Sequence, residues 1–197
     1  GVFTAGTIAP RDALSVSENP TWQSTIGSDI NYLNINTVIP TQIESGGAIV
    51  AAVTTDFAGN IRHGNVGYTG TGFAPDIGAF EFNGIMPDLT WDGGAATSNW
   101  NDALNWIFDL IPRPFQTVRL NGANTINVNV TTSIRNLILD HTGLVLTILD
   151  NMALTLNNDL FFHNGWLNTQ EAFPAIAGQA TFTGGTVGYT STVHTQT

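Results

Sequence analysis

Between Ile126 and Thr183 the chain is a series of short apolar runs, three to six residues each, closed by Asn, Gly, Asp or Thr. Ile126-Asn127-Val128-Asn129-Val130 alternates strictly. Ile134–Leu139, Leu144–Leu149, Leu154-Thr155-Leu156, Leu160-Phe161-Phe162 and Ala180–Thr183 follow it. Alternation is the two-residue period of a strand with one buried face. The intervening segments are shorter than the dozen or so residues that a helical crossover between parallel strands needs. Two architectures remain, an antiparallel β-sandwich or the stacked coils of a parallel β-solenoid. Similar strands recur at roughly 16 to 20 residues (Val128 to Ile148, Leu139 to Leu156, Leu146 to Phe162), about one coil of two or three short strands. Asn at the turns can stack in ladders between coils. The solenoid is therefore favoured. The sandwich is the alternative, because strand spacing of ~8–12 residues also fits it. In a solenoid Ile126, Val128 and Val130 face inward and Asn127 and Asn129 outward. Leu146 and Ile148 then stack one coil on, with Leu160 and Phe162 a further coil beyond.

Composition agrees with an all-β fold. Thr, Asn and Gly supply the polar surface and the turns. Charged residues are only 10%, against ~25% in an average soluble domain. There is no lysine, and five arginines against fifteen acids leave a net charge of -10. Nucleic acid and anionic membrane surfaces need clustered basic side chains, so both are poor partners. Without cysteine there are no disulfides, thiolate metal sites or cysteine nucleophile. No apolar run approaches the ~20 residues of a membrane span, and no basic segment leads into an apolar one at the start. The sequence opens Gly1-Val2-Phe3 and closes Thr195-Gln196-Thr197. Both ends are expected to be cuts through a longer polypeptide.

The first part has strand signals of its own. Asn31–Asn36 largely alternates, Ala48–Val53 is a continuous apolar run suited to a strand buried on both sides, and Asp76–Phe82 is a third short strand. Turn residues in Asn83–Asp88 place a junction at about residues 84 to 88. Residues 1–84 are thus expected to be the last coils of one β-helix module. Residues 88–197 are expected to be the Trp/Asn-rich start and first coils of a second, truncated solenoid.

Few residues suggest chemistry. Asp56 and Asn60 flank Gly59 like an oxygen-rich calcium loop, but Ala58 removes one potential ligand. A turn in which Asp56 caps backbone amides is the favoured reading. Asp76 and Glu81, five apart on an extended strand, point to opposite faces and form no acid/base pair. Arg11, Arg62, Arg113, Arg119 and Arg135 are scattered, and His63, His141, His163 and His194 lack metal-ligand spacing. Trp91, Trp100 and Trp106 could stack on sugar rings if exposed, or plug the open end of the second solenoid. The plug is favoured. Asn129-Val130-Thr131 is a glycosylation sequon.

Three segments carry a resemblance: Ile39–Gly47, Val53–Arg62 and Ala74–Phe82. Together they resemble the final coil of right-handed parallel β-helix domains in very large exported proteins of the Bacteroidetes. Those domains close with D-x-D-G-x-x-R and then D-I-G-A-x-E-[FY]; here Ala58 stands where the second Asp is usual. The match covers roughly residues 15 to 83. The second part is similar to another module of the same proteins, where a Trp/Asn-rich opening (Trp91 to Trp106) leads through a loop (Ile111-Pro112) into strand repeats (Asn136–Leu139, Leu154–Leu160). The resemblance implies a cell-surface adhesin or secreted protein delivered by the type IX secretion system. It implies a non-catalytic structural or adhesive segment without a resident cofactor, located outside the cell. Flanking modules of the same polypeptide, surface glycans or the outer-membrane secretion machinery are the implied partners, with no nucleic acid and no membrane insertion. The alternative is the non-catalytic flank of a polysaccharide-degrading enzyme or a glycan-binding module.

Overall fold

The computed structural model describes Val16, residues 18–170 and residues 172–189, and the chain divides into two compact units, Gly1–Met86 and Pro87–Thr197. Ten strands occur among the described residues, all in the second unit: β1 (Leu89–Thr90), β2 (Thr117–Leu120), β3 (Thr125–Val128), β4 (Thr132–Ile134), β5 (Asn136–Ile148), β6 (Leu154–Leu156), β7 (Leu160–Thr169), β8 (Ala175–Ile176), β9 (Ala180–Phe182) and β10 (Thr186–Tyr189). Every ladder between them is parallel. The unit is a parallel β-solenoid of about four turns, and the sandwich alternative is not adopted.

Each coil has three faces. The first is the ladder β1–β2–β5–β7–β9, using the first halves of β5 and β7. The second is β3–β5–β7–β10, using their second halves, and Asn99 joins it through a single bridge to Asn127. The third is β4–β6–β8. Along the first face Val118, Leu137, Leu160 and Ala180 succeed one another, one to a coil. Along the second, Ile126, Leu146, Leu167 and Val187 do the same. The corner between faces one and two lies inside β5 and β7, where the register shifts between Asp140 and Val145. Gly165 turns that corner at φ +105°, and a Cβ there would sit 3.0 Å from the His141 carbonyl oxygen. A side chain would meet both the wrong dihedral and the coil beneath.

The period-two pattern fills the interior. Val118, Leu120, Ile126, Val128, Ile134, Leu137, Leu139, Leu146, Leu156, Leu160, Phe162 and Leu167 are fully buried in one continuous core, with Val130 packed against it half-buried. One expected stacking does not form. Leu160 and Phe162 sit on Leu137 and Leu139 of the first face, and the Leu146/Ile148 column continues into Leu167 and Thr169. The shorter sequence spacings, Leu139 to Leu156 and Leu146 to Phe162, link doublets on different faces. Partners within one ladder lie further apart along the chain, as Leu139 and Phe162 do. The expected amide ladders do form. Asn158 Nδ2 donates to Asn136 Oδ1 (3.0 Å), and Asn136 Nδ2 donates to Thr117 Oγ1 (2.9 Å), tying three coils together.

The first unit departs from expectation. Its described residues hold isolated bridges (Trp22 with Ile35, Ser24 with Tyr32, Thr55 with Ile61) and no strand, so no β-helix coil is seen there. Residues 48–53 are irregular, with a turn at 51–52, and Ile49, Val50 and Val53 are 62%, 56% and 47% exposed, the reverse of a doubly buried strand. A buried strand needs ladder partners on both edges, and this segment has none among the described residues. Its chain is organised instead by buried carboxylates.

Candidate functional site

The motif residues of the first unit converge on that carboxylate network. Asp56 closes its own turn: Oδ1 accepts from the N–H groups of Ala58 and Asn60 (both 2.8 Å), and Oδ2 accepts from Asn60 Nδ2 and from the Glu81 N–H (both 2.9 Å). Gly59 holds φ +86° within the turn. Burial pushes the Asp56 carboxyl up, but these hydrogen bonds outweigh it and hold the group below its ordinary value. Both oxygens thus face donors, the geometry of a turn cap. Asn60, the other calcium candidate, points its amide N–H at the carboxylate.

Asp76 is 4% exposed. Its Oδ1 accepts the Ser45 N–H and its Oδ2 the Phe82 N–H, each at 2.7 Å. Glu81 Oε2 accepts the Asp76 N–H (3.2 Å) and faces Arg62 Nη1 (3.3 Å), while Oε1 accepts the His63 N–H (3.0 Å). The expected placement of Asp76 and Glu81 on opposite faces of a strand does not occur. Residues 76–82 instead curl at Gly78 (φ +113°) and bring both into one cluster. Arg62 also donates to the carbonyls of Asp76 and Gly78, and Glu44 accepts from Ser45 Oγ (2.8 Å) and the Gly84 N–H (2.7 Å). Burial pushes Asp76 up to about 7; the Ser45 and Phe82 donors oppose this, and Glu44 and Glu81 add to it. Each of these carboxylates accepts at least one backbone N–H, and Asp56, Glu44 and Glu81 take side-chain donors as well. These hydrogen bonds fix the loop geometry of the unit.

Beside it lies an apolar cleft of about 550 Å³ lined by Trp22, Leu33, Ile35, Ile77, Phe80 and Phe82. Its wall includes Leu33 at φ +55°, a left-handed conformation costly for a leucine. Neither the cleft nor that strain has a local sequence signature, since the lining comes from segments far apart.

In the second unit the three tryptophans lie inside the solenoid. Trp100 and Trp106 are fully buried and Trp91 is 9% exposed. Trp106 stands edge-on to both neighbours, at 5.1 Å from Trp91 and 4.7 Å from Trp100, and its Nε1 donates to the Trp100 carbonyl (2.8 Å). Sugar stacking by Trp91, Trp100 or Trp106 is therefore corrected: no indole face is open, because the rings fill the interior next to the first coil. Asn105, fully buried, holds the plug together. Its Oδ1 accepts the Ala95 N–H (3.1 Å), and its Nδ2 donates to Thr97 Oγ1 (2.8 Å) and the Asn99 carbonyl (3.2 Å). The tryptophan left on the surface of this unit is Trp166, 42% exposed.

The histidines stay apart. His63 stacks edge-on with Tyr68, His141 Nδ1 accepts the Gly143 N–H, and His163 Nδ1 meets Thr183 Oγ1 one coil on. His194 lies outside the described residues, as does Arg11. Among the described residues no three His, Asp or Glu side chains converge as a metal cage. Among them, too, no helix is long and apolar enough to cross a membrane. Comparison with protein-family models, with curated proteins and with solved structures finds no match to this chain.

Proposed function

We propose that the chain is a non-catalytic scaffold segment of a long exported bacterial surface protein, its solenoid right-handed and continued by further modules. The asymmetry between the two ends of the solenoid carries this reading. At the first coil the interior is filled by Trp100 and Trp106. At the last, the inward-facing Phe182 and Val187 are 50% and 46% exposed. Among the described residues β8, β9 and β10 each have a ladder partner on one side alone. Among the described residues, a plugged start and a last coil with half-exposed inward side chains suit a solenoid that is continued in one direction, since each coil is stable only when its neighbours cover it. Right-handed winding follows from the general preference of parallel strand crossovers. The first unit is the closing piece of a preceding module, held by the Asp56–Arg62–Asp76–Glu81 network. A low-charge surface rich in Thr and Asn suits an extracellular location, with flanking modules as the immediate partners.

The test is association. Light scattering on the 197-residue chain at rising concentration should show self-association, reduced by Phe182→Glu together with Val187→Glu on the open coil. A monodisperse monomer at high concentration would overturn the continued-solenoid reading.

A further inference from the structure

Trp166 projects from the outside of the second solenoid face, in the outer column Thr125, Val145, Trp166, Thr186. Its neighbour in sequence establishes the direction: Leu167 is fully buried and Trp166 is 42% exposed. The adjacent outer column runs Asn127, Thr147, Asn168, Gly188. Gly188 is the informative residue. It stands inside strand β10, where glycine weakens a strand. A Cβ there would lie 2.5 Å from Trp166 Nε1 and 3.2 Å from its Cε2. The indole occupies the space that a side chain one coil on would take, so the glycine lets it lie along the sheet.

These two columns contain no charged residue, only hydroxyls, amides, one valine, one glycine and one indole. In the second column Asn127, Thr147 and Asn168 succeed one another at the inter-strand spacing of about 4.8 Å, with Thr147 buried, and in the first the exposed Thr125 and Thr186 stand at either end of Val145 and Trp166. A partner matched to this face is uncharged, with an apolar plane to lie on the indole and hydroxyl edges to meet the flanking threonines. The net charge of -10 disfavours acidic polymers, and the absence of basic groups from these columns leaves nothing to hold one. We infer that this face is a binding platform for a neutral polysaccharide, with Trp166 stacking on a pyranose ring and the exposed Thr125 and Thr186 hydroxyls, with the half-buried Asn127 amide, meeting its hydroxyls. The proposal rests on the surface-scaffold reading only for where such a polymer is encountered. The association test above addresses that reading separately, so a negative glycan result leaves it standing and removes the platform alone.

The experiment is affinity electrophoresis of the full chain in gels containing hydroxyethylcellulose, galactomannan or mixed-linkage β-glucan, with alginate and pectate as acidic controls. Expected is retardation by at least one neutral polymer and by neither acidic one. Trp166→Ala should weaken it by roughly tenfold or more, the scale of one lost aromatic contact, with an unchanged melting temperature. Trp166→Phe should keep part of the retardation. Gly188→Val should displace the indole and weaken binding similarly; if that variant does not fold, the Ala/Phe pair decides. The platform is overturned by no retardation in any neutral gel, by stronger retention in an acidic gel, or by Trp166→Ala behaving as the parent. It is equally overturned if Trp166→Ala alters self-association and leaves mobility in the polymer gels untouched.

Discussion

The inward column Ile126, Leu146, Leu167, Val187 allows one kind of side chain to be tested at two degrees of coverage. Ile126, Leu146 and Leu167 are fully buried, and Val187 on the last coil is 46% exposed. Leu146→Ala removes a side chain held between two others. Both neighbours are pinned by parallel ladders to the strand that carries it, so the site can collapse only partly. Leu→Ala in such cores costs about 2–5 kcal/mol, lost transfer energy plus a cavity term. The pinned ladders place Leu146→Ala at about 3–4 kcal/mol within that range. Val187→Ala, with one side already open to water, should cost under about 1 kcal/mol on the scale of ~0.8 kcal/mol per buried methylene. Equilibrium urea unfolding measures both. With a slope of about 2 kcal/mol/M, the first substitution should lower the midpoint by about 1.5–2 M and the second by less than about 0.5 M. Equal losses from the two, or a Leu146→Ala cost below the ~2 kcal/mol floor of such substitutions, would show that the column is not a covered stack and that the reasoning is wrong.

Two further outcomes are expected. Asn105→Ala should loosen the tryptophan plug by about 1–2 kcal/mol, because the fully buried amide no longer accepts from the half-buried Ala95 N–H or donates to Thr97 Oγ1 and the Asn99 carbonyl. A red shift of the tryptophan emission at unchanged far-ultraviolet circular dichroism would report it. In the first unit Asp76, raised to about 7 from an ordinary 3.8, keeps its proton in the folded state through a range where the unfolded chain has lost it. Stability from that group is therefore greatest at low pH and declines as pH rises from about 4 to 7, whereas that from Asp56, lowered, is lost only as pH falls below 3.8. Hydrogen exchange over residues 74–84, corrected for the intrinsic rate, should show less protection at pH 7.5 than at pH 5. Asp76→Asn should flatten the difference, and a flat profile in the parent chain would contradict the burial argument.

The fully buried columns were legible because they depend on local pattern alone. Alternation in Ile126–Val128 puts the same side chains inside whatever coil lies next, and the pairing of Val128 with Ile148 follows from a spacing close to the true coil length. Turn chemistry worked in the same way: the Asp56–Gly59–Asn60 cap is made by residues four apart. The misplacement of Leu160 and Phe162 has a different origin. Corners absorb a variable number of residues, so one-dimensional spacing cannot say which of three faces a Leu-x-Leu doublet joins.

What only the tertiary structure decided is whatever depends on contacts between distant segments. Asp76 finds its donors at Ser45 and Phe82, 31 and 6 residues away, and this turned an expected strand into a curled anchor. The three clustered tryptophans and Trp166 are the same residue type in similar Asn-rich surroundings. Burial separates them. Trp100 and Trp106 fold under the first coil, and Trp166 alternates outward over Gly188 of the next coil. Local sequence determines the period of a strand; which face is covered is set by the coil above it, and that is a property of the assembled stack.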